Sequence, residues 1–118
     1  MSKPLKALGS VALLAWLLTG CANQAKPLYH WGSYQPQVYE YFKGDGNSNE
    51  AQIIALEAEV EKARAQDAKL PPGYHAHLAL LYSKAGRMDQ ARQQFELEKT
   101  LYPESASFMD YLMRNAKK

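Results

Sequence analysis

Histidines and acidic side chains could hold a metal ion or move a proton, but their spacing in this sequence favours neither. His75 and His77 lie two positions apart in a segment with helical periodicity, so their side chains point about 200° apart and cannot share a metal. No serine stands in a nucleophile-elbow motif, and no pair among the 12 acidic residues is singled out. We therefore expect no metal site, no cofactor and no enzymatic activity. We predict that both histidines are surface or groove residues.

Three polar residues share the spacing of the first three ligands of a calcium loop, namely Asp45, Asn47 and Asn49. The remaining positions disagree with calcium binding. Glu50 stands where glycine is needed for the sharp turn, and Leu56 stands where a bidentate glutamate belongs. We interpret the segment as a polar turn in which Asn49 caps the next helix.

Cys21 is the only cysteine of the chain, so an intrachain disulfide is excluded. It follows a segment with two early lysines, Lys3 and Lys6, and an apolar stretch over residues 7–18 that Gly9 and Ser10 interrupt. That stretch is shorter than the about 20 residues that a transmembrane helix needs. The four residues that close the segment resemble the bacterial lipobox, in which the cysteine is lipidated through its thiol and the chain is cleaved just before it: Leu18, Thr19, Gly20 and Cys21.

This resemblance implies a signal peptide over residues 1–20, a tether over 21–27 with a lipidated Cys21, and a folded domain over 28–118. Ala22 follows the cysteine where lipoproteins retained in the inner membrane often have aspartate. By similarity to that sorting rule, we expect the protein on the periplasmic face of the outer membrane, held there by its acyl chains.

The charge balance argues against a nucleic-acid partner. The chain has 14 Lys and Arg against 12 Asp and Glu, a formal charge of +2. Lys3 and Lys6 lie in the predicted signal peptide, so the mature chain carries 12 of each sign. Binding of nucleic acid needs a basic stripe that neutralises phosphates, and the mature sequence has none.

Hydrophobic periodicity predicts an all-α fold. An aromatic-rich lead-in precedes a short helix over 35–43, and we expect its Tyr29, Trp31 and Tyr34 to pack where the chain joins the domain. A longer helix over 50–68 has a stripe of Ile53, Leu56, Val60 and Ala63, widened by Ile54, and a charged face that we interpret as solvated.

Residues 72–104 have the most specific pattern, a helix, a turn and a second helix from 88 to 102. The unit resembles a tetratricopeptide repeat, in which large residues fill the space between the paired helices and small ones allow close approach. Glu98 departs from the pattern because it stands where a small residue packs against the next repeat. The residues that carry the resemblance and its packing are Leu78, Ala79, Tyr82, Gly86, Ala91, Phe95 and Pro103.

One such unit cannot bury both of its faces, so its flanks must cover it. The helices over 35–43 and 50–68 form an upstream pair. A downstream helix over 105–116, with Ser107 and Asp110 spaced as a capping box, covers the other end through Phe108, Leu112 and Met109. The predicted architecture is five helices in antiparallel hairpins, about two and a half tetratricopeptide-like repeats.

The lipobox, the single repeat and the Trp31-Gly32-x-Tyr34 stretch together resemble a family of small bacterial lipoproteins with a domain of unknown function. Members of that family are typically encoded beside a lipoprotein similar to the curli-secretion channel. The resemblance implies an envelope assembly of lipoproteins, and it supplies no active site.

The leading hypothesis is a protein-binding module for envelope proteins, among them other lipoproteins. Alternatives are an activator of a peptidoglycan synthase, a cell-wall-acting enzyme, and a purely structural envelope lipoprotein. In the tetratricopeptide-like unit, the first helix lines the concave face, and its apolar residues predict a groove for an apolar or extended segment. The predicted groove residues are Ala76, Leu80, Ser83 and Lys84.

Overall fold

The computed structural model describes residues 25–44 and 48–116, together with the single residue Gly9. Within this part of the chain the fold is all-helical, as expected, and its only β-type pairing is one isolated bridge between Tyr29 and Lys69. The described elements are α1 (Tyr34–Lys43), α2 (Asn49–Ala65), α3 (Tyr74–Lys84), α4 (Met88–Leu101), a 3₁₀ helix (Pro103–Ser105) and α5 (Ala106–Ala116).

The ends of α2 differ from the predicted ones. Ser48 caps the helix instead of Asn49, because its Oγ accepts a hydrogen bond from Ala51 N at 3.3 Å. The helix ends at Ala65, three residues before the predicted end. There the backbone turns into the left-handed region at Asp67 (φ 49°), and Ala68 N donates to Ala63 O at 2.9 Å. This pattern closes a helix in the manner of a left-handed cap.

Helix α3 is the centre of the domain. Every residue from Tyr74 to Ala79 is buried, including both histidines of this segment, so the helix is enclosed on almost all sides. The prediction of His75 and His77 as surface or groove residues is therefore wrong. Their helix packs against α2 and α4 at once, and it contacts α1 and α5 as well.

Helices α3 and α4 form an antiparallel hairpin. Gly86 (φ 76°) makes the turn between them in a left-handed conformation that glycine adopts without strain. Ala79 and Ala91 are buried in the core that the two helices share, together with the ring of Phe95. Small side chains there allow the helix backbones to approach, and the phenyl ring fills the remaining space.

Helix α2 packs on α3 through Ile53, Leu56 and Ala63, all buried as predicted. Ile54 was expected to widen this stripe, but 60% of it is exposed. It follows Ile53 directly, and one helical step turns a side chain by about 100°, away from α3.

Helix α5 covers the α4 side of the core with Met109, which is buried, and with Leu112, which is partly buried. Phe108 was also predicted to cover the core, but it does not, since 59% of it is exposed. The predicted capping box is also wrong. The helix begins at Ala106, which places Ser107 inside it, and Asp110 instead pairs with Lys99 (2.8 Å).

None of the described helices is both long and apolar enough to cross a membrane.

Candidate functional site

The four predicted groove residues lie on α3, and the domain encloses most of them. Ala76 is buried, and Leu80 is partly buried against the core. The Oγ of Ser83 donates to the Ala79 carbonyl at 2.9 Å. Lys84 is exposed, with its Nζ 4.0 Å from the centre of the Tyr41 ring, so α1 lies close to this face. Of the four residues, Lys84 is the most accessible to a partner.

The repeat-packing residues lie where the hairpin needs them. Gly86 and Pro103 are at the ends of helices, Gly86 in the turn before α4 and Pro103 at the start of the 3₁₀ helix. The other five residues are buried side chains of the α3–α4 hairpin: Leu78, Ala79, Tyr82, Ala91 and Phe95.

An aromatic cluster surrounds His77 between α1 and α3. Its ring lies 5.1 Å from that of Tyr41 and 6.0 Å from that of Tyr34, both edge-on. Its Nε2 is buried without a hydrogen-bond partner among the described residues. Burial, helped by the positive charge of Lys84, lowers the pKa of His77 to about 4. The imidazole is therefore neutral at pH 7 and serves as part of the α1–α3 packing.

A cluster of polar side chains connects the N-terminal segment to α2. His30 Nε2 lies 2.7 Å from Glu59 Oε2, and Lys62 Nζ donates to Glu59 Oε1 at 2.9 Å. His30 N also donates to Lys69 O at 2.7 Å, next to the bridge at Tyr29. The bonds from Lys62 and His30 lower the pKa of Glu59. This side chain was predicted to belong to a solvated face, and it is instead a buried attachment point.

Glu98 has a structural role of a similar kind. Only 2% of it is exposed, and its Oε1 accepts a hydrogen bond from Gly73 N at 2.7 Å. Gly73 lies at the N-terminus of α3, and the backbone N–H groups at the start of a helix have no partner inside that helix. Burial and the charge of Glu98 raise the pKa of Tyr34, which packs nearby. The glutamate that departs from the repeat pattern therefore holds the start of α3.

An open groove with a volume of about 800 Å³ lies between α4 and α5. Ala91 and Phe95 form its buried base, and Met88 and Met113 are half-buried along it. Tyr111 stands on the α5 side with 54% of its side chain exposed. Two arginines and two acids also line the groove: Arg92, Glu96, Asp110 and Arg114.

Sequence reasoning did not find this groove, although one signal was present. Met113, in the last helix, is a methionine to which the sequence pattern assigned no packing role. Unbranched, polarizable methionine side chains are frequent at surfaces that adapt to a partner.

A second depression of about 450 Å³ lies between the ends of α2 and α4. Leu97 and Leu101 are its exposed apolar residues, and Arg64 and Lys69 are its cations. Its volume is roughly half that of the α4–α5 groove, so the larger groove is the better candidate for a binding site.

No group of three or more His, Cys, Asp or Glu side chains is placed to hold a metal ion in the part of the chain that the structure describes. The calcium-like residues Asp45 and Asn47 lie outside it, as does the lipobox from Leu18 to Cys21.

Comparison with known proteins gives one family match. The model of the family described as "Domain of unknown function (DUF4810)" matches residues 28–112, which is most of the chain. No curated protein and no solved structure gives a significant match. The matched range includes the aromatic lead-in, α1 to α4 and most of α5. The chain therefore belongs to this uncharacterised DUF4810 family.

Proposed function

We propose that this protein is a periplasmic lipoprotein of the outer membrane whose helical domain binds another envelope protein. The α4–α5 groove is the observation that carries this proposal. It is open and largely apolar, and it combines a buried base with the exposed ring of Tyr111 and the adaptable side chains of Met88 and Met113. Aromatic anchors and methionines of this kind are enriched at protein interfaces.

The domain in this proposal is a short tetratricopeptide-like stack. Support comes from the antiparallel α3–α4 hairpin with Gly86 at its turn, and from the flanking helices that pack on either side of it. Repeat domains of this class use their surfaces to hold other polypeptides. The resemblance to lipoproteins encoded beside a secretion-channel-like lipoprotein favours such an accessory role.

The lipid anchor is tested by replacing its attachment residue. We expect Cys21→Ala to leave the signal segment uncleaved and unmodified, because the thiol that carries the lipid is gone. Mass spectrometry of the native protein should find acyl chains on an N-terminal Cys21. A native chain with an unmodified thiol would contradict the anchor.

The binding function is tested by photo-crosslinking in living cells. A photoreactive residue replaces Met113, which lines the groove, or Ala58, an exposed residue of α2 that serves as the control. We expect an envelope protein to be captured from position 113 and not from position 58. A secretion-channel-like lipoprotein would support the accessory role, and a penicillin-binding protein would favour a synthase activator in its place. Equal or absent capture at both positions would contradict the binding function of the groove.

A further inference from the structure

Two arginines and two acids line the α4–α5 groove, and among them only the acids form ion pairs. Asp110 Oδ1 lies 2.8 Å from Lys99 Nζ, and Glu96 Oε2 lies 3.3 Å from the same nitrogen. Lys99 therefore forms ion pairs with both carboxylates that line the groove. The guanidinium groups of Arg92 and Arg114 have no ion-pair partner within the described residues, and both side chains are exposed. The two arginines, one on each wall, therefore present guanidinium groups that no carboxylate of the described residues pairs with, and a partner's carboxylates can reach them.

The apolar part of the groove runs along two helices. On α4 it extends from Met88 to Phe95, about 10 Å at the rise of an α-helix. On α5 the ring of Tyr111 stacks on Phe108 with centroids 6.3 Å apart, so the exposed apolar surface continues past the groove. A cleft between two helices, with apolar side chains on both walls, is a shape that accepts the apolar face of a third helix.

We infer that the α4–α5 groove binds an amphipathic helix of the partner that carries acidic residues beside its apolar face. The apolar side chains of that helix lie on Met88, Phe95 and Met113, and its carboxylates meet Arg92 and Arg114. Arginine suits this task because its planar guanidinium forms paired hydrogen bonds with a carboxylate. This inference rests on the proposed protein-binding function and names the class of segment that the groove recognises.

A second copy of this chain fits the groove less well. Helix α2 has the acidic amphipathic character, but its apolar face is buried in the core. Helix α1 has exposed apolar side chains in Tyr39 and Phe42, but its charges, Glu40 and Lys43, cancel, and the Lys43 Nζ lies 5.8 Å from the centre of the Tyr39 ring. A positive charge beside the apolar face would meet the two arginines and repel them.

The test measures peptide binding to the full chain in lipid nanodiscs, with empty nanodiscs subtracted. The probes are two synthetic peptides of about 15 residues with the same leucine face at helical spacing, one flanked by glutamates and the other by lysines. We expect the acidic peptide to bind about tenfold more tightly than the basic one, since two accessible charge pairs separate them. The double variant Arg92→Glu/Arg114→Glu should reverse that preference.

The control is the double variant Arg64→Glu/Lys69→Glu, which changes the net charge equally and alters the second depression. It should keep the preference of the unmodified chain, and far-UV circular dichroism should show that all chains are folded. An equal affinity for both peptides would overturn the inference, as would the same loss in the control variant. Self-association of the chain that Arg92→Glu/Arg114→Glu abolishes would also overturn it, because the occupant would then be a second copy.

The peptide experiment and the crosslinking experiment can fail separately. Capture of an envelope protein from position 113 without a preference for the acidic peptide would reject the acidic helix and keep the binding function. If position 113 captures nothing and neither peptide binds, the inference and the proposed function both fail.

Discussion

The neutral state of His77 makes the stability of the domain depend on pH. The pKa of His77 is lowered to about 4 in the folded chain, from an ordinary value of 6.5. Between those two values the unfolded chain binds a proton that the folded chain does not bind, so unfolding becomes easier as the pH falls. The full contribution is present above about pH 6.5, and we expect a loss of roughly 2–3 kcal/mol by about pH 4.

The variant His77→Phe separates this effect from the titration of carboxylates. Phenylalanine keeps an aromatic ring between Tyr34 and Tyr41, and it removes a buried nitrogen that has no hydrogen-bond partner in the described structure. Urea unfolding at several pH values should show that the unfolding free energy of the variant decreases less between pH 6.5 and 4 than that of the unmodified protein. If the unfolding free energies of the two proteins decrease equally with pH, the assignment of this pH dependence to His77 is refuted.

Two features of the structure favour glycine at position 32, and comparison with a substitution at Gly86 separates their contributions to stability. Its φ of 46° is left-handed, and a Cβ there would collide with Glu59 Oε2, the atom that pairs with His30. Gly86 has a similar conformation (φ 76°), but a Cβ added there meets open space. We expect Gly86→Ala to cost about 1 kcal/mol of unfolding free energy. Gly32→Ala should cost at least about 1 kcal/mol more, since the bonds of Glu59 must break as well. Equal costs by chemical denaturation would show that the Glu59 cluster contributes little.

At the level of the elements, the start of α2 depends on one hydroxyl. Ser48 Oγ accepts from Ala51 N, which has no partner inside the helix. Ser48→Ala should therefore lower the unfolding free energy by about 0.5–1 kcal/mol. Ser107→Ala is the control, because Ser107 lies exposed within α5 and alanine favours a helix interior. If thermal unfolding gives the same midpoint for both variants, Ser48 is not an effective cap.

The sequence predicted a helix and its buried face well where the apolar residues followed one helical period. The stripe of Ile53, Leu56 and Ala63 marked the buried face of α2, because that helix lies at the side of the core and buries one face, mainly toward α3. The same method gave the wrong surroundings for His75 and His77, since α3 has neighbours on nearly all sides and both rings are buried, although only His75 has a hydrogen-bond partner among the described residues. His75 Nδ1 lies 2.7 Å from Gln94 Oε1, a long-range pair that periodicity does not reveal.

The candidate site was harder to predict than the helices. The concave groove proposed from the sequence used α3 alone, whereas the open groove needs the angle between α4 and α5 and the position of the 3₁₀ helix that joins them. Lys99 also has to reach Asp110 across that junction before Arg92 and Arg114 are left as the unpaired charges. Such pairings depend on tertiary geometry, so residue types alone do not indicate which charges a partner will meet.

For the molecule as a whole, we expect one cooperative unfolding transition. Repeat stacks can unfold from their ends, because each unit contacts only its neighbours. Here one buried cluster runs from Ile53 in α2 to Met109 in α5, and the Tyr34 ring of α1 packs 5.0 Å from the buried Tyr74 ring. Loss of the central helix α3 therefore removes a packing neighbour of each of the other described α-helices at once.

Trp31 provides the measurement that checks this cooperativity. It is the only tryptophan after the predicted signal peptide, residues 1–20, is removed, and its ring stacks on Tyr34 with centroids 6.3 Å apart. Its fluorescence reports the N-terminal lead-in, while far-UV circular dichroism reports all helices. In urea, the two signals should change with the same midpoint and the same slope. An earlier midpoint for Trp31 would mean that the lead-in and α1 separate from a stable α2–α5 core. In that case the aromatic cluster at His77 joins two independently unfolding parts.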